Sequence, residues 1–491
     1  MPIRNVLFLV SDFAPLTSVG RIRTQKLCKF LPAAGWRTSV LTFEPPPGTL
    51  TDPDLLAEIP PGTKVYRVPC PQPVEAPVRL ASRLVRRIRS GRAQVTGTGA
   101  EDVAPGDSGP PDAGGGWFDR VSRWVDGTKR WLTRSLMIPD EGVTGVGAMA
   151  RAAADLIRRQ RIEVVVASVP GFSPWLAAVL AGRRTGVPVV VDYRDLWHGD
   201  VLRTWIGPLR TRLELALERW ALSQSTAVVT VSDGKTRYVR GLDPRPDRRS
   251  YTTIYNGFDE DDLLGVEPTR PAGDDGRLLM LYAGRLYKHR RADPLLESIG
   301  RLASNGVVRR DKLRVRLFGL IEQQQRERIA RVVSHYGLED VVDVAGYVTR
   351  RDSLAAQLGA DALILIVDPG ETSDGVLPGK ITEYIGLGRF VLAVCPPGEA
   401  RNVLTRYGPA AWASANDPEA LDAALLGMIE RWRRDPLAFR SPAANRVVPS
   451  RRDNAVALAA VLDQCVRAHR PAERNRPLPA VASARWGGRA T

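Results

Sequence analysis

Short runs of aliphatic and β-branched residues, each followed by a stretch with helical spacing, recur along this chain in two separate series. The first comprises residues 4–10, 38–43, 163–167, 187–191 and 227–231; the second comprises 278–283, 313–318, 341–345, 362–367 and 390–394. Strands that are apolar throughout, as at 278–283, 362–367 and 390–394, belong to parallel sheets covered on both faces. Parallel neighbours require crossover connections, which the intervening helical stretches supply. The opening segment shows the unit in full. The run at 4–10 leads through a loop with Pro15 and Gly20 to Ile22, Leu27, Phe30 and Leu31 at helical spacing, and Gly35 ends that helix before the next strand. The expected fold is α/β, with two Rossmann-like doubly wound domains.

At 491 residues the chain exceeds what one hydrophobic core usually serves. Residues 1–260 are read as the first domain. Its stretch 91–116 is rich in Gly, Pro, Asp, Ala and Ser and is expected to be a disordered insert. A composition shift beginning at Asp259 leads into a linker over 261–276. Residues 277–440 form the second domain, and 441–469 a helical segment expected to pack back on the first. The basic, Pro-rich stretch 470–491 reads as a disordered tail.

Several function classes are disfavoured. Cys28, Cys70, Cys395 and Cys465 form no CxxC pair, and His198, His289, His335 and His469 show no metal-ligand spacing, so neither a zinc site nor a metal cofactor is expected. The net charge of +16 calls for a polyanionic partner, yet no zinc finger, RNA-binding aromatic motif or helix-turn-helix appears, and nucleic acid is not the expected one. The string at 145–150 fits GxGxxA but follows Pro139, Asp140 and Glu141 rather than a strand, so it is not a dinucleotide site. No apolar run is long enough for a membrane span or an export signal, so the expected location is the cytoplasm.

The segment LPGKITEY at 377–384 carries the most chemistry. It follows a buried strand and a glycine-containing loop, and Pro378 is suited to begin a helix. Such a helix start suits a diphosphate, Gly379 permits close backbone approach, and Lys380 adds a charge. Glu383, about one turn on, is placed to accept hydrogen bonds from a ribose diol. The alternative is a first-turn acid that merely satisfies the helix dipole, with Lys380 a solvated neighbour.

The longer string VLPGKITEYIGLGRFVLAV resembles the donor-binding segment of retaining GT-B glycosyltransferases of glycosyltransferase family 4. SVPGFSPWL (168–176), VDYRDLW (191–197), VVTVSDG (228–234), IYNGFD (254–259), YAGRLY (282–287) and VAGYV (344–348) follow in that family's order. The resemblance implies two domains facing a central cleft. It implies an enzyme that moves a sugar from a nucleotide-diphosphate sugar to an acceptor, with retention and without metal, and therefore no cofactor beyond the co-substrate. By the same resemblance Glu383 holds the ribose and Gly379 and Lys380 lie near the diphosphate. Arg285 pairs with a donor phosphate, as does one of Lys288, Arg290 and Arg291, with Arg290 favoured; Tyr347 lies against the base. The sequence departs from the family pattern at Gly375, where an acidic residue is usual; Glu371, Asp374 or backbone N–H groups are the substitutes considered.

On the other side of the expected cleft, DYRD (192–195) follows a buried strand. Asp195 is read as facing the reacting sugar or accepting the acceptor's proton, with Arg194 orienting it; the alternative is an Arg–Asp pair that fixes the loop. Gly20 resembles the glycine through which the family's first loop approaches donor or acceptor, and otherwise is an ordinary helix-start glycine. Arg21 and Arg23 are read as meeting an acidic acceptor or solvating their helix. Trp117, Trp124 and Trp131 fall two helical turns apart among arginines and lysines, which fits either core packing or an amphipathic helix over 117–137 lying on an anionic membrane surface. The latter would place the protein at the inner face of the plasma membrane and suit a lipid-linked acceptor. Two rival functions are a nucleotide-sugar epimerase of the same fold and a non-catalytic relative.

Overall fold

The computed structural model describes residues 3–18, 20–46, 49, 51–71, 137–199, 207–273, 276–287, 290–367, 377–440 and 449–469. The insert at 91–116, the tryptophan-bearing stretch 117–136, the tail 470–491, and Lys288, Glu371, Asp374 and Gly375 lie outside the described residues.

The first domain is a parallel sheet in the order β3-β2-β1-β4-β5-β6-β7. Its strands are β1 (Arg4–Leu9), β2 (Trp36–Phe43), β3 (Lys64–Val68), β4 (Val164–Val169), β5 (Val189–Tyr193), β6 (Ala227–Thr230) and β7 (Ser250–Thr253). All the pairings are parallel. Every residue of β4, β5 and β6 is buried, which explains their unbroken apolar character. Helices α1 (Arg21–Phe30), α2 (Val146–Gln160), α3 (Ser173–Thr185), α4 (Pro208–Gln224) and α5 (Asp233–Leu242) are among the connections that cover its faces.

The second domain repeats the plan in the order β10-β9-β8-β11-β12-β13. Here the strands are β8 (Leu278–Ala283), β9 (Leu313–Phe318), β10 (Val342–Gly346), β11 (Ala362–Ile366), β12 (Phe390–Val394) and β13 (Ala410–Ala413). Between them run α6 (Asp293–Ser304), α7 (Gln323–Tyr336), α8 (Arg350–Gly359), α9 (Lys380–Gly386) and α10 (Glu399–Tyr407), followed by α11 (Pro418–Arg434). A last helix, α12 (Arg451–His469), returns to the first domain, where Ala455, Leu458, Leu462 and Cys465 share a core with Val6, Phe8, Leu27 and Cys28.

Three edge strands, β3, β7 and β13, were not expected from the sequence. Each carries partly exposed residues and lacks the doubly buried apolar run that marks the inner strands. The helix after β11 starts at Lys380, with Gly379 as its cap, two residues later than Pro378 suggests. Among the described residues no helix is long and apolar enough to cross a membrane.

Candidate active-site cleft

In each sheet the strand order reverses once, between β1 and β4 in the first and between β8 and β11 in the second. Loops leaving the carboxyl ends of such neighbours diverge to opposite faces and open a crevice. The loop after β1 leads to Gly20, the one after β5 begins at Arg194, and the one after β8 carries Gly284 and Arg285. After β11 the chain returns to Lys380 at the start of α9.

On the first-domain side, Arg194 is held by three backbone carbonyls. Its Nε donates to Val169 at 3.2 Å, and its two terminal nitrogens donate to Gly20 and Pro170. The side chain thus ties the loops after β1, β4 and β5 together. It also explains the glycine at position 20, whose backbone is in the ordinary right-handed region. A Cβ there would stand 2.8 Å from an Arg194 nitrogen that its carbonyl partners hold in place.

The residue that grips Asp195 is Lys235, whose Nζ lies 3.0 Å from Oδ1 and also donates to the Arg194 carbonyl. Lys235 sits in the first turn of α5, where the Ser232 hydroxyl accepts from its N–H. Burial by itself pushes the Asp195 carboxyl up; Lys235, Arg194 and Arg290 outweigh it and hold it below the usual carboxylate range. Some 56% of its side-chain surface nonetheless remains open, so the ionised carboxylate is accessible from the cleft.

Arg21 and Arg23 are both buried, contrary to either role expected for them. Arg23 makes a forked pair with Asp192, with Nε 3.0 and 3.1 Å from its two oxygens and a terminal nitrogen at 2.9 Å; Ser168 Oγ donates to the same carboxylate at 2.9 Å. Arg21 donates to Gln25 and lies 3.4 Å from Glu58. These charges build the floor beneath the cleft.

On the second-domain side, Lys380 reaches from α9 to the end of β8. Its Nζ donates to the Ala283 carbonyl and stands 5.2 Å from the centre of the Tyr282 ring. Position 284 must be glycine for this, because a Cβ would collide with Nζ. Burial, followed by repulsion from Arg290, lowers the Lys380 ammonium to about 7, although Glu383 opposes the fall. Arg290 lies over the Tyr287 ring at 5.1 Å. Arg285 is more exposed and pairs with Glu322 at 2.9 Å. Tyr347 is 61% exposed, and Gly379 stands at the head of α9, where a Cβ would be 3.5 Å from Asn256 Nδ2. Glu383 pairs with Arg350 at 3.0 Å.

The two sides meet through residues that the sequence reading did not single out. Glu399, in the first turn of α10, accepts from the Asp233 and Gly234 N–H groups at 3.0 and 3.1 Å, capping a first-domain helix from the second domain. Tyr255 Oη donates to the same Glu399 at 2.7 Å. On the first-domain side, Asn256 Oδ1 accepts from Arg23 at 3.3 Å and from Arg451, on the returning helix α12, at 3.2 Å. Nothing in local spacing reveals these contacts, since each joins segments far apart in the chain. Among the described residues, no group of three or more His, Cys, Asp or Glu is placed to hold a metal ion.

Two parallel-sheet Rossmann-like domains, joined by a linker and opening a cleft between the carboxyl ends of their strands, define the GT-B fold. Residues 103–257 match the family model of the glycosyl transferase 4-like domain, and residues 268–441 match that of glycosyl transferases group 1. With these two domains in this order, the chain belongs to the GT-B glycosyltransferases. Solved structures share the fold at low identity. A glycosyltransferase from Rickettsia africae is 12% identical at a TM-score of 0.54, covering 97% of this chain and 100% of that one. Anabaena HepE, solved in complex with UDP and glucose, is 12% identical at 0.52, covering 96% and 100%. Sucrose-phosphate synthase from Thermosynechococcus elongatus is 15% identical at 0.53, covering 96% and 98%. A comparison with curated proteins finds no match.

Proposed function

We propose that this glycosyltransferase transfers a sugar from a nucleotide-diphosphate sugar with retention of configuration and without a metal cofactor. The observation that carries the proposal is that Lys380 is drawn to the carboxyl end of β8 while Lys235 holds Asp195 just beyond the carboxyl end of β5, and Arg290 acts electrostatically on both, lowering the Lys380 ammonium and the Asp195 carboxyl. Departure of the sugar builds negative charge on the diphosphate and positive charge on the sugar. Cations on one wall and an ionised acid on the other are suited to those two charges.

In this reading Glu383 accepts hydrogen bonds from the ribose hydroxyls and Tyr347 lies against the base. Arg285, Arg290, Lys380 and the Gly379 backbone meet the diphosphate, and the Gly20 loop, close-packed on the Arg194 clamp, faces the donor. Asp195 acts as a fixed negative charge facing the reacting sugar. A carboxyl held below its ordinary range is a weak base, which favours this role over proton abstraction. Arg194 positions the loop that presents it. The location we propose is the cytoplasm, peripheral to the inner face of the plasma membrane, with a lipid-linked acceptor. The spacing of Trp117, Trp124 and Trp131 among basic residues supports that part.

The test is donor turnover. Nucleotide sugars are screened for thermal stabilisation, and the best binder is assayed for transfer or hydrolysis with wild type and Asp195→Asn. Loss of turnover at unchanged donor affinity is expected. Unchanged turnover in a folded variant removes Asp195 from the chemistry, and conversion of the donor without transfer makes the protein an epimerase.

A further inference from the structure

Arg350 is the first residue of α8, a position where the helix dipole disfavours a cation. Two carboxylates offset that placement. A single terminal nitrogen of Arg350 lies 2.9 Å from Asp262 Oδ2 and 3.0 Å from Glu383 Oε2, so its two hydrogens are divided between the two acids. Asp262 Oδ1 in turn accepts from Lys26 on α1, which also donates to Asp259 at 2.6 Å. The result is a row of alternating charges, Lys26, Asp262, Arg350 and Glu383, that runs from the first domain through the interdomain connection to α9.

Three of the four side chains are largely sheltered, with 12% of Lys26, 18% of Asp262 and 20% of Glu383 exposed, against 40% of Arg350. Charges this sheltered are less screened than surface pairs. Arg350 engages only Oε2 of Glu383, and among the described residues Oε1 takes no hydrogen bond. A carboxylate fixed through one oxygen keeps the other for a ligand in a set orientation.

We infer that Arg350 is a positioning residue that orients Glu383 toward a ribose diol, and that Asp262 and Lys26 couple this orientation to the seating of the second domain on the first. The inference rests on the proposed ribose-binding role of Glu383. Its mechanical content follows from sharing. Asp262 has one oxygen on Lys26 and the other on Arg350, so separating α1 from α8 breaks one of the two contacts and removes support from the Arg350 nitrogen that orients Glu383. Nucleoside affinity then depends on a lysine on the opposite domain, which contacts no part of the nucleotide in this reading.

The experiment measures binding of UDP, GDP and ADP, each with its 2′,3′-dideoxy counterpart, to full-length wild type, Glu383→Gln, Arg350→Met, Arg350→Lys, Asp262→Asn and Lys26→Met, with folding checked by circular dichroism. Wild type is expected to prefer the ribo ligand by about tenfold, the size of a charge-assisted hydrogen bond. Glu383→Gln and Arg350→Met should each abolish most of that preference, and the double variant should lose no more than either alone. Asp262→Asn and Lys26→Met should lose part of it. Arg350→Lys keeps the charge on a shorter, more flexible side chain, and should fall between wild type and Arg350→Met. If Glu383→Gln abolishes the preference while folded Arg350→Met and Arg350→Lys keep it, the inference is wrong and the ribose reading stands. If Glu383→Gln keeps the preference, or if none of the three nucleotides binds, the ribose reading fails first.

Discussion

The lowered ammonium of Lys380 makes nucleotide binding a proton-uptake reaction. In the free protein burial and Arg290 bring this group from 10.5 to about 7, which corresponds to about 5 kcal/mol against the charged form. A bound diphosphate supplies the negative charge the site lacks and restores the ammonium. At pH 8 about nine-tenths of the free protein carries neutral Lys380 and nearly all of the complex carries the cation, so binding takes up about 0.9 proton. Affinity should fall about tenfold for each step of one pH unit above 7. Isothermal titration at pH 8 in buffers of different ionisation enthalpy gives the proton number directly, and Lys380→Met should reduce it to near zero. The same residue leaves a mark on folding. Because its folded-state value lies below the unfolded one, the unfolded chain binds more protons between about pH 7 and 10.5, and stability due to this lysine rises with pH across that window. Lys380→Met should therefore exceed wild type in stability most clearly below pH 7, with the difference closing toward pH 10.5. No proton uptake at pH 8, or equal uptake in Lys380→Met, would refute the reasoning.

Two further predictions concern the frame around the site. Glu399→Ala removes the carboxylate that caps α5 from the opposite domain and leaves Tyr255 without one of its acceptors. It should lower stability by about 1–2 kcal/mol and speed hydrogen exchange at the Asp233 and Gly234 amides; unchanged exchange there would show that the clasp does not persist in solution. Arg23→Met leaves Asp192 buried without its forked partner, with the Ser168 hydroxyl and the more distant charge of Arg194 to offset it. A loss of about 3–5 kcal/mol is expected in chemical denaturation, and a change below about 1 kcal/mol would mean that the pair is solvated.

Inner strands such as β8 and β12 are legible in the sequence because they are buried on two faces and so must be apolar throughout, and they coincide with the runs at 278–283 and 390–394. The edge strand β3 is not legible, since Lys64 and Arg67 are exposed on it and only Val68 is buried. Lys380 and Glu383 are legible as candidates because a strand, a loop and a helix start set them at the carboxyl edge of the sheet. Lys235 escapes notice because its partner, Asp195, lies 40 residues away in sequence. Arg23 reads as a helix-surface cation because its partner, Asp192, is 169 residues distant.

Hydrophobic pattern is a local property. Which residues enter strands and helices follows from whether each segment's own side chains favour water or a packed interior. That much the sequence determined: two doubly wound domains and the segment that places Lys380 and Glu383 at an edge of the second sheet. Charge pairing depends on distances of a few ångströms between segments that only the finished packing brings together, and on how much water that packing removes. The tertiary structure alone therefore decided that Arg194 ties three loops, that Lys235 holds Asp195, and that Glu383 is tethered through Arg350 and Asp262 to Lys26 on the other domain.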